Sequence, residues 1–480
     1  MHLFFETRLD LLRVAGNMHF FVRKPTVSPE PVLVGDTETD ELGAHIYGSV
    51  HHDQGVYRMW YQATANAWAK HDSPAVAYAE SDDGITWRKP SVGLVDIKGS
   101  KDNNLCDLGV HDPSISILPD APPERRYFAT GCIDARYEKS MIHREARPPV
   151  GGGFYAAYSA NGIHWELESP HPIWEEHWAD NICNVWHPSR QSIQVLAKHT
   201  CMRMGIVRRN YWECQRTGDE WSPLRMSLIP DEFDDIAARS RGYVSGDYNG
   251  FALMPTERST VSFIQMHRNR LPYRDHPVGQ GCGVYGVMDM TLAFQEDEDS
   301  CWIHMPGRPD FVSHHDIPWA GGMLFCASNV CNFGDEQRLY ISGSAASHGV
   351  IPFGDRRENN RIGYVSWPRD RLFGYHADDE GELDIDLGIF TKPAKLQLNY
   401  ETDSGGSIHV QLHTLEKYQR RQDGIDIEGR SAEGCVPLTG ECLDQTIEWK
   451  NGSVIAPIEN RRIIARVIMK RAKVYAFGLQ

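Results

Sequence analysis

The sequence predicts an all-β protein, a five-bladed β-propeller followed by a C-terminal β-sandwich. Three observations predict it: a hairpin signature recurs along most of the chain, helical periodicity is nearly absent, and the strand pattern changes after about residue 383. The signature is clearest in Tyr78-Ala-Glu-Ser-Asp-Asp-Gly-Ile-Thr-Trp87 and returns in Tyr155-Ala-Ala-Tyr-Ser-Ala-Asn-Gly-Ile-His-Trp165. Weaker copies end at Trp221, in Gly218-Asp-Glu-Trp221, and at Trp302. Each is an apolar-alternating run, a polar turn with Asp or Asn and often Gly, and a Trp, the pattern of a β-hairpin whose return strand carries a buried aromatic. A supersecondary unit that recurs at such intervals indicates radial repetition.

Short β-like runs fill the intervals. Blade one takes His45–Val50, Tyr57–Ala63 and Ala75–Glu80, and blade two His111–Ile117, Arg126–Ile133 and Phe154–Ser159. Ile182–Trp186, Ser192–Ala197 and Gly205–Arg209 make a third, and Phe251–Met254, Thr260–Met266 and Val284–Phe294 a fourth. Met323–Ser328, Gln337–Ser342 and Arg361–Ser366 make the fifth. The propeller is therefore expected over residues 35–383, with residues 1–34 packing on it or on the sandwich. Over 384–480, alternating runs separated by Gly, Asn and Asp turns lack the Trp hairpin, which predicts an antiparallel sandwich.

The 480 residues exceed one comfortable core, in keeping with two domains. A net charge of −16 argues against a nucleic-acid or anionic-membrane partner, because neutralising phosphates takes clustered Lys and Arg. No apolar run is long enough to span a bilayer. The N-terminus lacks the basic and apolar regions of an export signal, and the 11 Cys have no zinc-ligand spacing. A cytoplasmic location with reduced thiols is the expectation. No phosphate loop, dinucleotide fingerprint or serine-hydrolase elbow occurs, so no cofactor is expected; a homo-oligomer stays open.

Tyr57-Arg-Met-Trp-Tyr61, the Tyr78–Trp87 hairpin, Gly99-Ser-Lys-Asp-Asn-Asn104, His111-Asp-Pro-Ser114, the Tyr155–Trp165 hairpin and Lys473-Val-Tyr-Ala-Phe477 together resemble bacterial proteins similar to the N-terminal domain of glycoside hydrolase family 32, the invertase, inulinase and levanase group. The resemblance implies a propeller plus sandwich, with three carboxylates from the inner strands of blades one to three around a funnel. Asp112, in His111-Asp-Pro113, resembles the Arg-Asp-Pro carboxylate of that group. The family's Trp-Met-Asn-Asp-Pro-Asn-Gly motif is missing, and the pair Glu213-Cys214 falls in outer strands of blade three.

Glycoside hydrolysis takes two carboxylic groups across the scissile bond. Acids at the starts of inner strands are therefore the catalytic candidates: Glu41 as nucleophile or base, Asp180 as general acid and Asp112 as orienting carboxylate. Trp178 and Trp186 flank Asp180 and would raise its pKa by desolvation. Asn103, Asn104, Trp178, Asp247, Trp319 and His348 are substrate-binding candidates, with Lys101 near the first two. Each has a structural alternative: Asp180 as a turn cap, Asp247 shaping the Gly-Asp-Tyr-Asn turn, Glu41 as a solvated rim carboxylate. Asp82, Asp83 and Asn161 belong to the hairpin turns and receive no chemistry. His314-His-Asp316 is not assigned zinc, since adjacent His on a strand point apart, and no metal is expected. The expected activity is a glycosidase, retaining or inverting, on a small and furanose-containing saccharide or glycoside. The alternatives are a sugar-binding propeller without turnover, or a phosphorylase or transglycosylase, for whose anion site Arg136, Lys198 and Arg241 are loose candidates.

Overall fold

The computed structural model describes residues 2–3, 11–65, 75–133, 150–175, 180–203, 206–270, 285–345, 347–348, 360–416 and 424–480. They form two compact units: one holds Pro25–Phe333 and Arg338–Ser366, the other the N-terminal residues up to Lys24, Gly334–Gln337 and Trp367–Gln480.

The first unit is a five-bladed propeller of antiparallel sheets. Its innermost strands are Gly43–Asp53, His111–Ile117, Ile182–His187, Ser245–Pro255 and Met323–Cys326. Each neighbours the next, and the fifth lies against the first, so the ring is closed. Blade five takes its outermost strands from the start of the chain: Val27 pairs with Val365 and Leu33 with Ile362. The residues before position 35 thus divide, for Leu11–Val22 pairs with Phe373–Gly388 in the other unit. Two element assignments change. Gly246–Asn249, expected as a turn, lies inside the innermost strand of blade four; of the run expected over Gly205–Arg209, Gly205 lies outside the described residues and the rest belongs to the return arm of a long hairpin, Ser192–Arg203 with Ile206–Thr217.

The repeated hairpins work as seams between blades. In the first, Ser81 Oγ accepts from the Asp83 and Gly84 amides, and Asp83 Oδ1 accepts from the Ile85 and Thr86 amides at 2.7 Å. Those amides hold the Asp83 carboxyl down at about 2. Asn161 repeats the arrangement in the second hairpin. The turn glycines leave a carbonyl for the preceding blade: Gly84 O accepts from Tyr340 Oη at 2.6 Å, and Gly162 O from Trp60 Nε1 at 2.5 Å. Glycine is needed because both turns have positive φ, and a Cβ on Gly162 would lie 2.5 Å from Trp60. The buried rings Trp60, Tyr78, Tyr127 and Tyr155 then share one apolar cluster with Trp165.

Nearer the axis the seams are polar. Ser49 Oγ lies 2.5 Å from Ser328 Oγ and accepts from the Ile115 amide at 2.8 Å, so one hydroxyl ties blades five, one and two. Asn184 accepts from Ser116 Oγ at 2.6 Å and donates its amide to Ser114 Oγ, joining blades two and three. Gln194, Thr260, Gln295 and Glu213 join blades three and four.

In the second unit, seven strands form one hydrogen-bonded antiparallel sheet, with Phe373–Gly388, Leu396–Glu416 and Arg461–Leu479 as its long members. Bulges interrupt their register, as between Thr402 and Ser407. Leu398, Val410, Ile463 and Val467 share its core with Leu438, Ile447 and Trp449 from the segment preceding the last strand. Among the described residues the one α-helix is Glu232–Arg239, opened by an Asp231/Asp234 capping box, and no helix is long and apolar enough to cross a membrane. The ten described cysteines are free thiols.

The seam glycines give a stability test. Gly218→Ala, at φ +59 with open space around the Cβ, is expected to lose about 1 kcal/mol from backbone strain alone. Gly162→Ala adds the clash with Trp60 and is expected to lose about 2–3 kcal/mol in urea unfolding. Equal losses would remove the seam role of Gly162.

Candidate active site

Side chains from four blades meet at the axis in one hydrogen-bonded chain. Asp112, at the head of the blade-two inner strand, has a φ of +56°, a left-handed conformation that Asp tolerates better than most residues. Its side chain is buried, and its Oδ2 accepts from Asn181 Nδ2. Asn181 Oδ1 accepts from Tyr211 Oη at 2.5 Å, and Tyr211 Oη also contacts the Asn249 carbonyl at 2.9 Å. Asn249 Nδ2 donates to Tyr47 Oη at 3.2 Å, which returns the chain to blade one. Asn249 is the bulged residue of its strand, because the register slips between Tyr248 and Gly250.

A charged cluster adjoins this chain. Lys198 Nζ pairs with Asp180 Oδ1 and donates to the Asn249 carbonyl at 3.2 Å. Arg209 Nη1 lies 3.1 Å from His267 Nδ1, and the His267 ring meets His348 edge-to-face at 5.1 Å. Both cations are buried, and His267 Nε2 is a buried atom with no hydrogen-bond partner among the described residues. Tyr47 packs edge-to-face against His111 and Phe325, at 5.4 and 4.6 Å.

The two carboxyl groups are driven apart. Burial pushes Asp112 well above the ordinary carboxylate range; Lys198 pulls it back, and the Asp180 charge adds to the rise. For Asp180, desolvation also opposes ionisation, an effect limited by its 63% exposure. Lys198, His111 and Arg209 outweigh it and hold Asp180 below its usual value. The buried Asp112 is thus shifted toward its protonated form, and Asp180, open to water, toward its charged form. This reverses the expectation that Asp180 keeps the proton: the neighbour that decides its state is Lys198.

The other predicted residues are placed as follows. Glu41 is exposed in the turn before the first inner strand, while its neighbour Asp40 is fully buried, accepting from Tyr61 Oη at 2.8 Å and Lys89 Nζ at 2.5 Å. Asn104 holds the blade-one fold, donating to Tyr61 Oη and the Tyr78 carbonyl and accepting from Thr39. Asn103 ties back its own loop through the Val95 carbonyl. Asp247 accepts from Arg208 Nε at 2.6 Å and Asn269 Nδ2 at 2.9 Å, so both its oxygens are engaged. Trp319 covers Gly343 and Gly363 and donates its indole N–H to the Ser28 carbonyl, a packing role in blade five. His348 joins the cluster through His267. Trp178 and Arg136 lie outside the described residues. Arg241 is taken by Asp310 at 2.7 Å. His314 and His315 sit on a 3-10 turn, not a strand, and His314 Nδ1 contacts Asp289 at 2.7 Å.

No known family model matches the chain, and no curated protein sequence matches it. Among solved structures, a glycosyl hydrolase from Bacteroides ovatus is 14% identical with a TM-score of 0.45, covering 76% of this chain and 98% of that one. The β-1,2-mannobiose phosphorylase from Listeria innocua is 10% identical with a TM-score of 0.43, covering 74% and 98%. A fructofuranosidase from Schwanniomyces occidentalis, complexed with fructosylnystose, is 9% identical with a TM-score of 0.43, covering 94% and 96%. Likeness at this level decides nothing about the chemistry, and the propeller described above rests on its own sheets.

The protonation of Asp112 has a measurable consequence. A carboxyl raised in the folded state stabilises fully below its unfolded value, near 4, and loses that contribution as pH rises toward the folded value. Asp112→Asn mimics the protonated acid and tolerates the same φ. Compared with the wild type, it is expected to lose less stability between pH 5 and 7, by up to about 1.4 kcal/mol per pH unit in urea unfolding. Parallel pH dependences would show that Asp112 is ionised in the folded protein.

Proposed function

We propose that the protein is a glycosidase, and that its propeller funnel cleaves a small, furanose-containing saccharide or glycoside. One observation carries this reading: two carboxyl groups at one axial site are pushed in opposite directions, Asp112 toward the protonated and Asp180 toward the charged form, as an acid and base acting together require. Asp112 is the proton donor. With Oδ2 occupied by Asn181, the acid proton falls to Oδ1, which protonates the departing glycosidic oxygen. Asp180, held ionised by Lys198 and open to solvent, activates the attacking water or itself attacks the anomeric carbon. His267 Nε2 and the Tyr47 ring supply polar and flat surfaces for the sugar. This assignment leaves Glu41 without a catalytic part and gives Asp112 the acid role first expected of Asp180.

A second reading is phosphorolysis, favoured by the buried pair Lys198 and Arg209 beside Asp180. An anion between them would replace water as nucleophile. Turnover that requires inorganic phosphate and releases a sugar phosphate selects this reading, and turnover in its absence selects hydrolysis. Saccharide binding without turnover, across a broad glycoside panel with and without phosphate, would leave only a binding role.

On a confirmed substrate, Asp112→Asn is expected to lower kcat by about 10²–10⁴ with the fold intact, whereas Glu41→Gln stays within about threefold of wild type by the ordinary tolerance of exposed positions. Full activity of Asp112→Asn would overturn the acid assignment. In the wild type kcat/KM is expected to fall on the alkaline side as Asp112 ionises. Lys198→Met is expected to move the acid limb to higher pH, because Asp180 loses the cation that keeps it charged. An unmoved acid limb would exclude Asp180 as the base.

A further inference from the structure

The seven-stranded sheet of the second unit brings two histidines and an aspartate together. His19 and His376 are direct cross-strand partners on Leu11–Val22 and Phe373–Gly388. The ladder slips beside them, between Gly16 and Met18 and again between Ala377 and Glu380. Asp378 lies within the second slip, where regular alternation is broken.

The distances are unlike those of an ordinary hydrogen-bonded cluster. His19 Nδ1 is 3.5 Å from Asp378 Oδ2, and His376 Nδ1 is 3.3 Å from Asp378 Oδ1, both longer than a charge-assisted hydrogen bond. One ligand atom from each of the three residues lies within 4.8 Å of the others. Around Zn²⁺ with ligand bonds of about 2.0–2.1 Å, a tetrahedron has edges of about 3.3–3.4 Å; each His–Asp378 contact is near that length but to a different carboxylate oxygen, so the group, within 4.8 Å as a whole, closes on an ion by a small turn of the carboxylate and rings. The two rings stand edge-to-face at 76°, leaving their nitrogens free to converge without stacking.

A second observation concerns the far side of His376. Its Nε2 is buried with no hydrogen-bond partner among the described residues, and Asp403 Oδ2 waits 3.9 Å away. A metal-bound histidine usually offers its other N–H to a carboxylate, which fixes the tautomer and strengthens the ligand. Asp403 stands where that carboxylate is required. Lys473, the cross-strand partner of His376 on its other side, is the cation that opposes a bound metal, and it is drawn toward Glu401 at 3.9 Å.

We propose that His19, His376 and Asp378 form a site for a divalent transition metal of zinc type, with Asp403 positioning His376 and water filling the remaining coordination. His19 and Asp378 are each 51% exposed, so the ion enters directly from solvent. Two imidazoles and one carboxylate suit Zn²⁺ and Co²⁺ and are poorly matched to Ca²⁺ or Mg²⁺, which take oxygen ligands.

The test is titration of the whole purified protein, stripped with chelator, with CoCl₂ and with ZnCl₂. One equivalent of Co²⁺ is expected to bind with the intense visible d–d absorption of a tetrahedral ion, to be displaced by Zn²⁺, and to be untouched by Ca²⁺. His19→Gln and Asp378→Asn are expected each to abolish that absorption while the far-UV circular dichroism stays unchanged. Asp403→Asn, which removes no ligand, is expected to weaken binding about tenfold and keep the absorption band. Absence of the band in wild type would overturn the site. So would its persistence in a His19→Gln, Asp378→Asn double variant, since the metal would then be held by other histidines.

Discussion

A propeller blade has two faces and an inner edge to account for, and in this protein the inner edges are satisfied by hydroxyl and amide side chains. Ser49, Ser114, Ser116, Ser328, Asn184 and Asn329 bridge adjacent innermost strands. They are buried, so each hydrogen bond left unmade would cost the full desolvation of a polar group. That asymmetry makes the ring specific: a blade displaced by one residue strands several such groups at once. Farther out, the Gly84 and Gly162 carbonyls do the same for Tyr340 and Trp60, and the apolar clusters fill in behind them. The register of the axial residues depends on these seams.

The axial chain from Asp112 to Tyr47 can be seen as the seam pattern carried to the heads of the inner strands. It crosses four blades through Asn181, Tyr211 and Asn249, using the same kinds of group. What differs is that one member is a carboxyl group. A neutral amide at 112 would finish the network as well, so the carboxyl brings a proton into a place where the fold does not require one. A buried acid pushed toward its neutral form beside an exposed, cation-held carboxylate is an arrangement that stability alone does not favour.

Much of the scaffold was legible because hairpin chemistry is local. Asp83, Gly84 and Asn161, Gly162 announce their turns in the sequence, and counting back from them reaches the innermost strands. The same counting located Asp112 and Asp180. At the first blade it settled on Glu41, which the structure leaves exposed, while the neighbouring Asp40 is buried against Tyr61 and Lys89. It also overlooked Arg209, Tyr211 and His267 and held Lys198 only as a loose anion ligand, because these lie on second and third strands. They reach the axis through hairpin arms longer than a blade needs, and strand length of that kind is set by tertiary pairing. Trp319 misled for a related reason: an aromatic near the start of an inner strand looks like a sugar platform, but Gly343 and Gly363 leave room for it inside the blade.

The borrowed outer strands of blade five bear on how the chain reaches this state. Val27 and Leu33 pair with Val365 and Ile362, most of the propeller's length away. While the protein is being made, that early segment leaves the ribosome long before the strand it joins, and four blades emerge in between. Closure is thus a late, long-range event in synthesis, of the kind that slows folding and exposes strand edges to neighbouring chains. In the cell, the interval between those two events is when this protein is most open to capture by chaperones or by other copies of itself.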